Sequence, residues 1–206
     1  MKNKLVLLGL LSLCSFGKRA DGPWFSGKIV YHNSFVTLAG QDISDKLTPV
    51  LGRENLYYIS GDNYKAYTEK KQLLELYNGK TNQFQFFMAG QPPSVSDAAT
   101  NTPGAEITPL DQTATVAGYA CQSLKIVHDG VTTVYFYSPK FRVNPEQFAK
   151  HEFGDWHAYL VASKGALPLR FIVTNPKQGF VMTSEATAVE AMKLTTEEFT
   201  VSAPAR

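Results

Sequence analysis

Residues 114–127 read ATVAGYACQSLKIV, and they run through His128-Asp129-Gly130 into VTTVYFY at 131–137. Both apolar stretches are rich in β-branched and aromatic residues, which pack well on a pleated, half-buried surface. Asp129-Gly130 between them supplies the two positive-φ positions of a tight hairpin. Leu124 and Ile126 lie two apart, so they share one strand face. Residues 131–137 are apolar on both faces, which predicts an interior strand. This stretch decides the class: antiparallel sheet built from hairpins.

The same pattern extends in both directions. Residues 27–38 form a first strand. Strands at 54–59 and 64–69 flank Ser60-Gly61-Asp62-Asn63, and strands at 72–77 and 82–88 flank Asn78-Gly79, another hairpin signal. Leu167–Thr174 and Gln178–Val189 make a late hairpin around Asn175-Pro176-Lys177. Helices are few. One short helix is expected within 42–51, with Asp42 or Ser44 as cap, Pro49 limiting it and Gly52 as stop. Asn144-Pro145-Glu146-Gln147 opens another, because Asn caps, Pro suits the first helical position and Gln147 can complete a capping box. A last helical turn falls within 193–199. Residues 90–111 carry Pro92, Pro93, Pro103 and Pro109 among Ser, Asp, Asn and Thr, and read as one long flexible surface loop. Strands resume at once after it, so residues 21–206 are expected to form a single domain.

The N-terminus has the tripartite form of a secretory signal. Lys2 and Lys4 precede a short apolar run, Leu5 to Leu13, and cleavage is expected after Gly17 or Ala20. The run is too short to cross a bilayer, which takes about 20 apolar residues, and no later run is long enough. The whole chain has 20 basic and 18 acidic residues; loss of Lys2, Lys4, Lys18 and Arg19 leaves 16 against 18, a net charge of −2. A mature chain without basic surplus does not suit nucleic acid. Cys14 falls in the leader, where lipid anchoring is the less favoured reading because Leu13, not a small residue, precedes it. Cys121 is then the single mature cysteine, expected as a buried thiol.

Motifs for chemistry are incomplete. His151-Glu152 starts like a zinc-protease helix, but the second histidine should stand at 155, which is Asp155, and His157 comes two places late. Gly79-Lys80-Thr81 ends like a phosphate loop, but Leu74 occupies the place of the earlier glycine. His128 and Asp129 are adjacent in a strand and point to opposite faces. No serine elbow and no cysteine pair with metal spacing occurs. The expectation is a binding protein and not an enzyme, with no metal and no cofactor. What remains is apolar patterning: Leu74 with Leu76; Phe84 with Phe86 and Met88; Leu124 with Ile126; Phe180 with Met182. These nine are the candidate lining of an apolar binding face.

Gly118-Tyr119-x-Cys121 within its hairpin, the later Gly165-Ala166-Leu167-Pro168-Leu169-Arg170, and the closing Glu190 to Phe199 resemble the corresponding parts of LolA-like envelope proteins, periplasmic lipoprotein carriers and their exported relatives. The resemblance covers much of 113–201 and extends more loosely to the earlier hairpins. It implies a mainly β, α+β fold: an incomplete antiparallel β-barrel wrapped around a few short helices, with an apolar inner face. In the carriers that face receives acyl chains. Arg53 is a loose candidate for the arginine that helps them hold cargo, and the inserted stretch 90–111 departs from them.

The expected function is therefore that of a periplasmic or secreted envelope protein. It would hold a lipid-like ligand, such as a lipoprotein acyl chain, in the concave face of a curved sheet. The alternative is an interaction module with a filled core and an envelope protein partner. Export makes a direct prediction. The intact mass of protein recovered from the envelope should correspond to a chain starting at Lys18 or Asp21. A retained Met1, or a diacylglycerol mass on Cys14, would contradict soluble export.

Overall fold

The computed structural model describes residues 24–88, 90–100 and 102–200; the expected leader and Cys14 lie outside them. The described strands are β1 (Gly27–Thr37), β2 (Glu54–Ser60), β3 (Asn63–Thr68), β4 (Leu73–Asn78), β5 (Gln83–Phe86), β6 (Ser94–Asp97), β7 (Glu106–Val116), β8 (Tyr119–His128), β9 (Val131–Arg142), β10 (Ala166–Asn175) and β11 (Phe180–Ala191). They form one antiparallel sheet in the order β6-β5-β4-β3-β2-β1-β11-β10-β9-β8-β7. The fold is mainly β, as expected, and the sheet is curved and open: β6 and β7 are its two edges.

Turn chemistry accounts for most connections. Asp129 and Gly130 take φ of 55° and 77°, and Ala117 and Gly118 take 48° and 80°, so both hairpins flanking β8 turn on two left-handed residues. Gly61 supplies a φ of 58° between β2 and β3. Asn78-Gly79 behaves differently from its expectation. β4 ends at Asn78 and β5 starts only at Gln83, and the left-handed position is Asn82, φ 52°. Asn78 instead folds its side chain over the longer turn, accepting from Thr81 N at 3.1 Å. The expected loop at 90–111 is also corrected. It contains β6 and the start of β7, so its prolines border or occupy edge strands, where a missing N–H faces no partner.

Among the described residues there are two α-helices, α1 (Ser44–Leu51) and α2 (Trp156–Ala162), with one-turn 3₁₀ helices at Pro145–Phe148, Phe153–Asp155 and Thr196–Phe199. α1 ends at Gly52 as read from sequence. The Asn144 carboxamide accepts from Glu146 N at 3.1 Å, but the chain makes one 3₁₀ turn there before α2.

Residues opposite one another on neighbouring strands share a face. One row crosses Ile29, Tyr57, Ala66, Glu75 and Phe86; another crosses Asn33, Ser184, Phe171, Tyr135 and Leu124. Both rows line the concave face. The connection from β9 to β10, residues 143–165, lies across that face. Its base is closed by Val143 N donating to Gly165 O at 2.9 Å. From there it reaches both halves of the sheet. Phe148 stacks on Tyr77 at 6.0 Å, Trp156 meets Tyr64 at 6.0 Å and Tyr159 meets Tyr135 at 4.3 Å. Its far end is tied down by Glu152 N and Phe153 N, which donate to Ala98 O at 2.7 and 2.9 Å. Phe148, Tyr159, Leu160 and His151 are buried in it, and Cys121 is buried in β8 as expected.

The base of this plug makes a testable point. Gly165 and Gly118 have nearly equal φ, 81° and 80°. A Cβ on Gly165 would lie 2.2 Å from Val143 O, whereas one on Gly118 meets nothing within 4 Å. Both alanine variants bear the left-handed strain of about 1–2 kcal/mol; only Gly165→Ala must also part the base of the plug. Urea unfolding should therefore show a clearly larger loss for Gly165→Ala than for Gly118→Ala. Equal losses would show that the base is not tightly held.

Candidate functional site

Between the concave face and the plug lies a cavity of about 270 Å³. Its floor comes from β1 to β5 through Tyr31, Tyr57, Tyr64, Ala66, Glu75 and Phe84. Its far wall comes from β9 and β10 through Tyr135, Pro168, Phe171 and Val173. Its roof is the plug, through His151, Phe153 and Trp156. Alternation puts these residues there: each strand contributes every second side chain inward.

The aromatic lining is continuous. Ring centroids step from Phe171 to Tyr31 at 5.7 Å, Tyr31 to Tyr57 at 6.3 Å, Tyr57 to Tyr64 at 5.4 Å and Tyr64 to Trp156 at 6.0 Å. These separations suit edge-to-face and offset packing. The Tyr31 hydroxyl donates to Pro168 O at 2.5 Å, and the Tyr64 hydroxyl bonds His151 Nε2 at 2.7 Å. Burial pushes the His151 imidazole down to about 4, so it is neutral at ordinary pH and can accept the phenolic proton. Trp156 Nε1 is buried with no hydrogen-bond partner among the described residues.

One acidic group lies in this lining. Glu75 pairs across the sheet with Ala66 and Phe86 and points with them into the concave face. Among the described residues no hydrogen bond or ion pair engages its carboxylate. Burial raises its pKa from 4.5 to about 7. Through its proximity it helps hold Tyr31, Tyr57 and Tyr64 in the neutral phenol form, the main cause being their own burial. Glu75 also borders a smaller annex of about 80 Å³, shared with Asn33, Leu51, Asn55, Leu74, Phe86 and Met182.

The nine residues read from sequence are distributed unevenly. Phe84 lines the main cavity, and Leu74, Phe86 and Met182 line the annex. Leu74 reaches it because it is the extra residue of a bulge opposite Ala66 and Tyr67. Leu124 and Ile126 face inward but are buried in the core, at 1% and 3% exposure. Phe180 is half-buried, its ring 6.3 Å from Phe35. Leu76 faces the other way: its partner is Lys65, and the turn at Thr196–Phe199 packs on that side. Met88 is corrected, because β5 ends at Phe86 and Met88 stands 44% exposed. Arg53 pairs with Asp45 at 3.0 Å on the surface, away from the cavity.

His157 N donates to His151 O at 3.0 Å, but the two rings have different partners. His157 Nδ1 sits 3.4 Å from Glu152, and among the described residues no group of three or more His, Cys, Asp or Glu is gathered. His128 does find a carboxylate, but it is Asp155 at 2.8 Å and not its neighbour Asp129. The sequence reading missed Glu75, the tyrosines and Trp156. One signal for Glu75 was available: in LLELYN at 73–78, alternation sets Glu75 on the face of Leu73 and Tyr77. The tyrosines carry no such mark, since surface and cavity tyrosines look alike in sequence.

No protein-family model and no curated protein matches the chain. Among solved structures it is similar to PNGF-II, with 17% identity and a TM-score of 0.48 over 83% of this chain; the chain spans only 28% of that protein's length. It is also similar to the LolA superfamily protein NE2245 from Nitrosomonas europaea, with 12% identity and a TM-score of 0.38 over 87% of this chain and 92% of that one. A third is a DUF1329 family protein from Desulfovibrio piger, with 10% identity and a TM-score of 0.35 over 87% and 91%. LolA-like proteins, which the G-Y-x-C hairpin resembles, are thus among the solved structures to which this chain is similar.

Glu75 gives the site a pH signature. An acid whose pKa is higher folded than unfolded binds more protons in the folded state between the two values, so stability falls as pH rises through that window. A rise from 4.5 to about 7 corresponds to roughly 3 kcal/mol. Glu75→Gln removes this loss. The stability difference between Glu75→Gln and the native chain should grow in favour of the variant from about pH 4.5 to about pH 8. Urea midpoints across that range measure it, and a constant difference would contradict a raised pKa at this half-buried acid.

Proposed function

We propose that this protein binds a small apolar ligand in the concave face of its sheet, acting outside the cytoplasm as a holder or carrier and not as a catalyst. The unfilled aromatic cavity under the plug carries this reading. Ligand sites are characteristically concave, mostly apolar and furnished with a few polar groups. Here those groups are Glu75, the Tyr64–His151 pair and the unpartnered Trp156 Nε1. At about 30 Å³ per water-sized group, about 270 Å³ accommodates roughly nine such groups. That suits one short chain or one ring system and is too small for a multi-acyl lipoprotein anchor. The sequence resemblance to LolA-like carriers supports the location of the site and its apolar character, with a smaller cargo.

Binding is favoured over catalysis by the state of the polar groups. The cavity hydroxyl of Ser184 donates to Asn33 Oδ1 at 2.8 Å, and His151 is committed to Tyr64. Neither is arranged as a nucleophile with its base. The interaction-module reading draws on a different observation, the two open sheet edges at β6 and β7.

Titration with n-octanol, followed by Trp fluorescence or NMR shifts, separates the two. The native protein should bind it saturably. Ala66→Met, which extends the cavity floor upward, should abolish that binding while the protein stays folded. Native mass spectrometry of protein taken from its own envelope should show a small bound molecule. Absence of saturable binding in the native chain, with no co-purified molecule, would leave the interaction module as the better account.

A further inference from the structure

We infer that the cavity selects a cationic amphiphile: a short apolar chain or ring bearing a protonated or quaternary amine, whose charge meets Glu75 within the ring of Tyr31, Tyr57, Tyr64 and Trp156. This rests on the reading of the cavity as a ligand site and names the class of ligand.

The lining poses a physical problem that such a ligand solves. A carboxylate among aromatic rings is costly to ionise unless something pairs with it. No lysine, arginine or hydrogen-bond donor among the described residues does so; the pairs Lys28–Glu190 at 2.9 Å and Arg170–Glu185 at 2.7 Å lie on the opposite face of the sheet. Glu75 is a partnerless carboxylate that lines the cavity. The same lining carries the rings of Tyr31, Tyr57, Tyr64 and Trp156, and aromatic rings, Trp and Tyr most strongly, attract a cation held over a face within about 6 Å of the centroid. The spacing of those rings, 5.4 to 6.3 Å along Tyr31, Tyr57, Tyr64 and Trp156, lets one small cation meet several of them. Aromatic faces and one carboxylate attract the same charge sign. A neutral lipid tail would need the rings alone, and an anionic headgroup would be repelled by an ionised Glu75.

The acid state of the site sets when this works. The titratable groups that line the cavity with Glu75 are Tyr31, Tyr57 and Tyr64 from β1, β2 and β3, Tyr135 from β9, and His151 from the plug. Burial keeps the phenols neutral far above pH 7, and His151 is neutral above about 4. Glu75 is therefore the group that changes charge near neutrality, at about 7. Cation binding should weaken as pH falls through that value.

The test compares three probes of matched length, n-octylammonium, n-octanol and n-octanoate, by calorimetry on the native protein and on Glu75→Gln. At about pH 8 the native protein should prefer the ammonium over the alcohol by about tenfold, and Glu75→Gln should lose most of that preference while still binding the alcohol. The preference should shrink for the native protein, and not for the variant, at about pH 5.5. Equal binding of alcohol and ammonium, or tightest binding of octanoate, would overturn the cation assignment while leaving an apolar ligand site standing. Failure of all three probes to bind the native protein would overturn both.

Discussion

Everything in this fold leans on the crossing of residues 143–165 over the concave face. A single open sheet of this width has a large apolar surface on one side and nothing of its own to cover it. The plug supplies that cover. It leaves the sheet at Arg142, is pinched at Val143 and Gly165, and is fastened at the opposite half through Ala98 and through Asn82, whose Nδ2 donates to Lys150 O at 3.0 Å. His151 sits at its centre, its ring 4.1 Å from that of Tyr77 and bonded to Tyr64. The buried imidazole is neutral and bonded through Nε2, while its Nδ1 has no partner among the described residues. Besides this crossing, the halves β1 to β6 and β7 to β11 are joined by the β1–β11 ladder and by contacts such as that of Tyr31 with Pro168 and Phe171.

The plug also explains why a cavity exists. A helix packing on a sheet fills the space beneath it when its inward side chains match the curvature. Here the descending elements are one-turn helices and a seven-residue α2, entered through two successive left-handed residues, Gly154 and Asp155, at φ 65° and 59°. They fill the region over Tyr77 and Tyr135 with Phe148 and Tyr159, and leave the region over Tyr57 and Glu75 unfilled. The unfilled part is where polar groups collect.

Much of the architecture was legible in the residues. Hairpins at Asp129-Gly130 and Gly118 follow from local chemistry, because left-handed turns demand particular residue types. Strand faces follow from period two, so Phe84 and Phe86 were correctly paired. The misreadings share a cause. Met88 was carried past the end of β5, and Leu76 was assigned inward with Leu74 although a bulge separates their directions. Strand ends and bulges are set by tertiary pairing and leave little trace in sequence. The prolines of 90–111 suggest a loop, but edge strands tolerate proline, and β6 and the start of β7 lie there. The site itself was less legible. Its carboxylate is separated by long stretches of chain from Trp156 and Phe171, and only the fold of both halves around the plug brings them together.

A closed barrel has its bore fixed by strand number and shear, so its interior can be resized only by changing the whole ring. This sheet has two free edges and therefore no such count. Its interior volume is decided by one short excursion between β9 and β10, held at three points. Insertions, deletions or substitutions within residues 143–165 could reshape the chamber without disturbing any strand register. The scaffold and the size of what it holds are in this sense separable, and selection could vary the second while conserving the first.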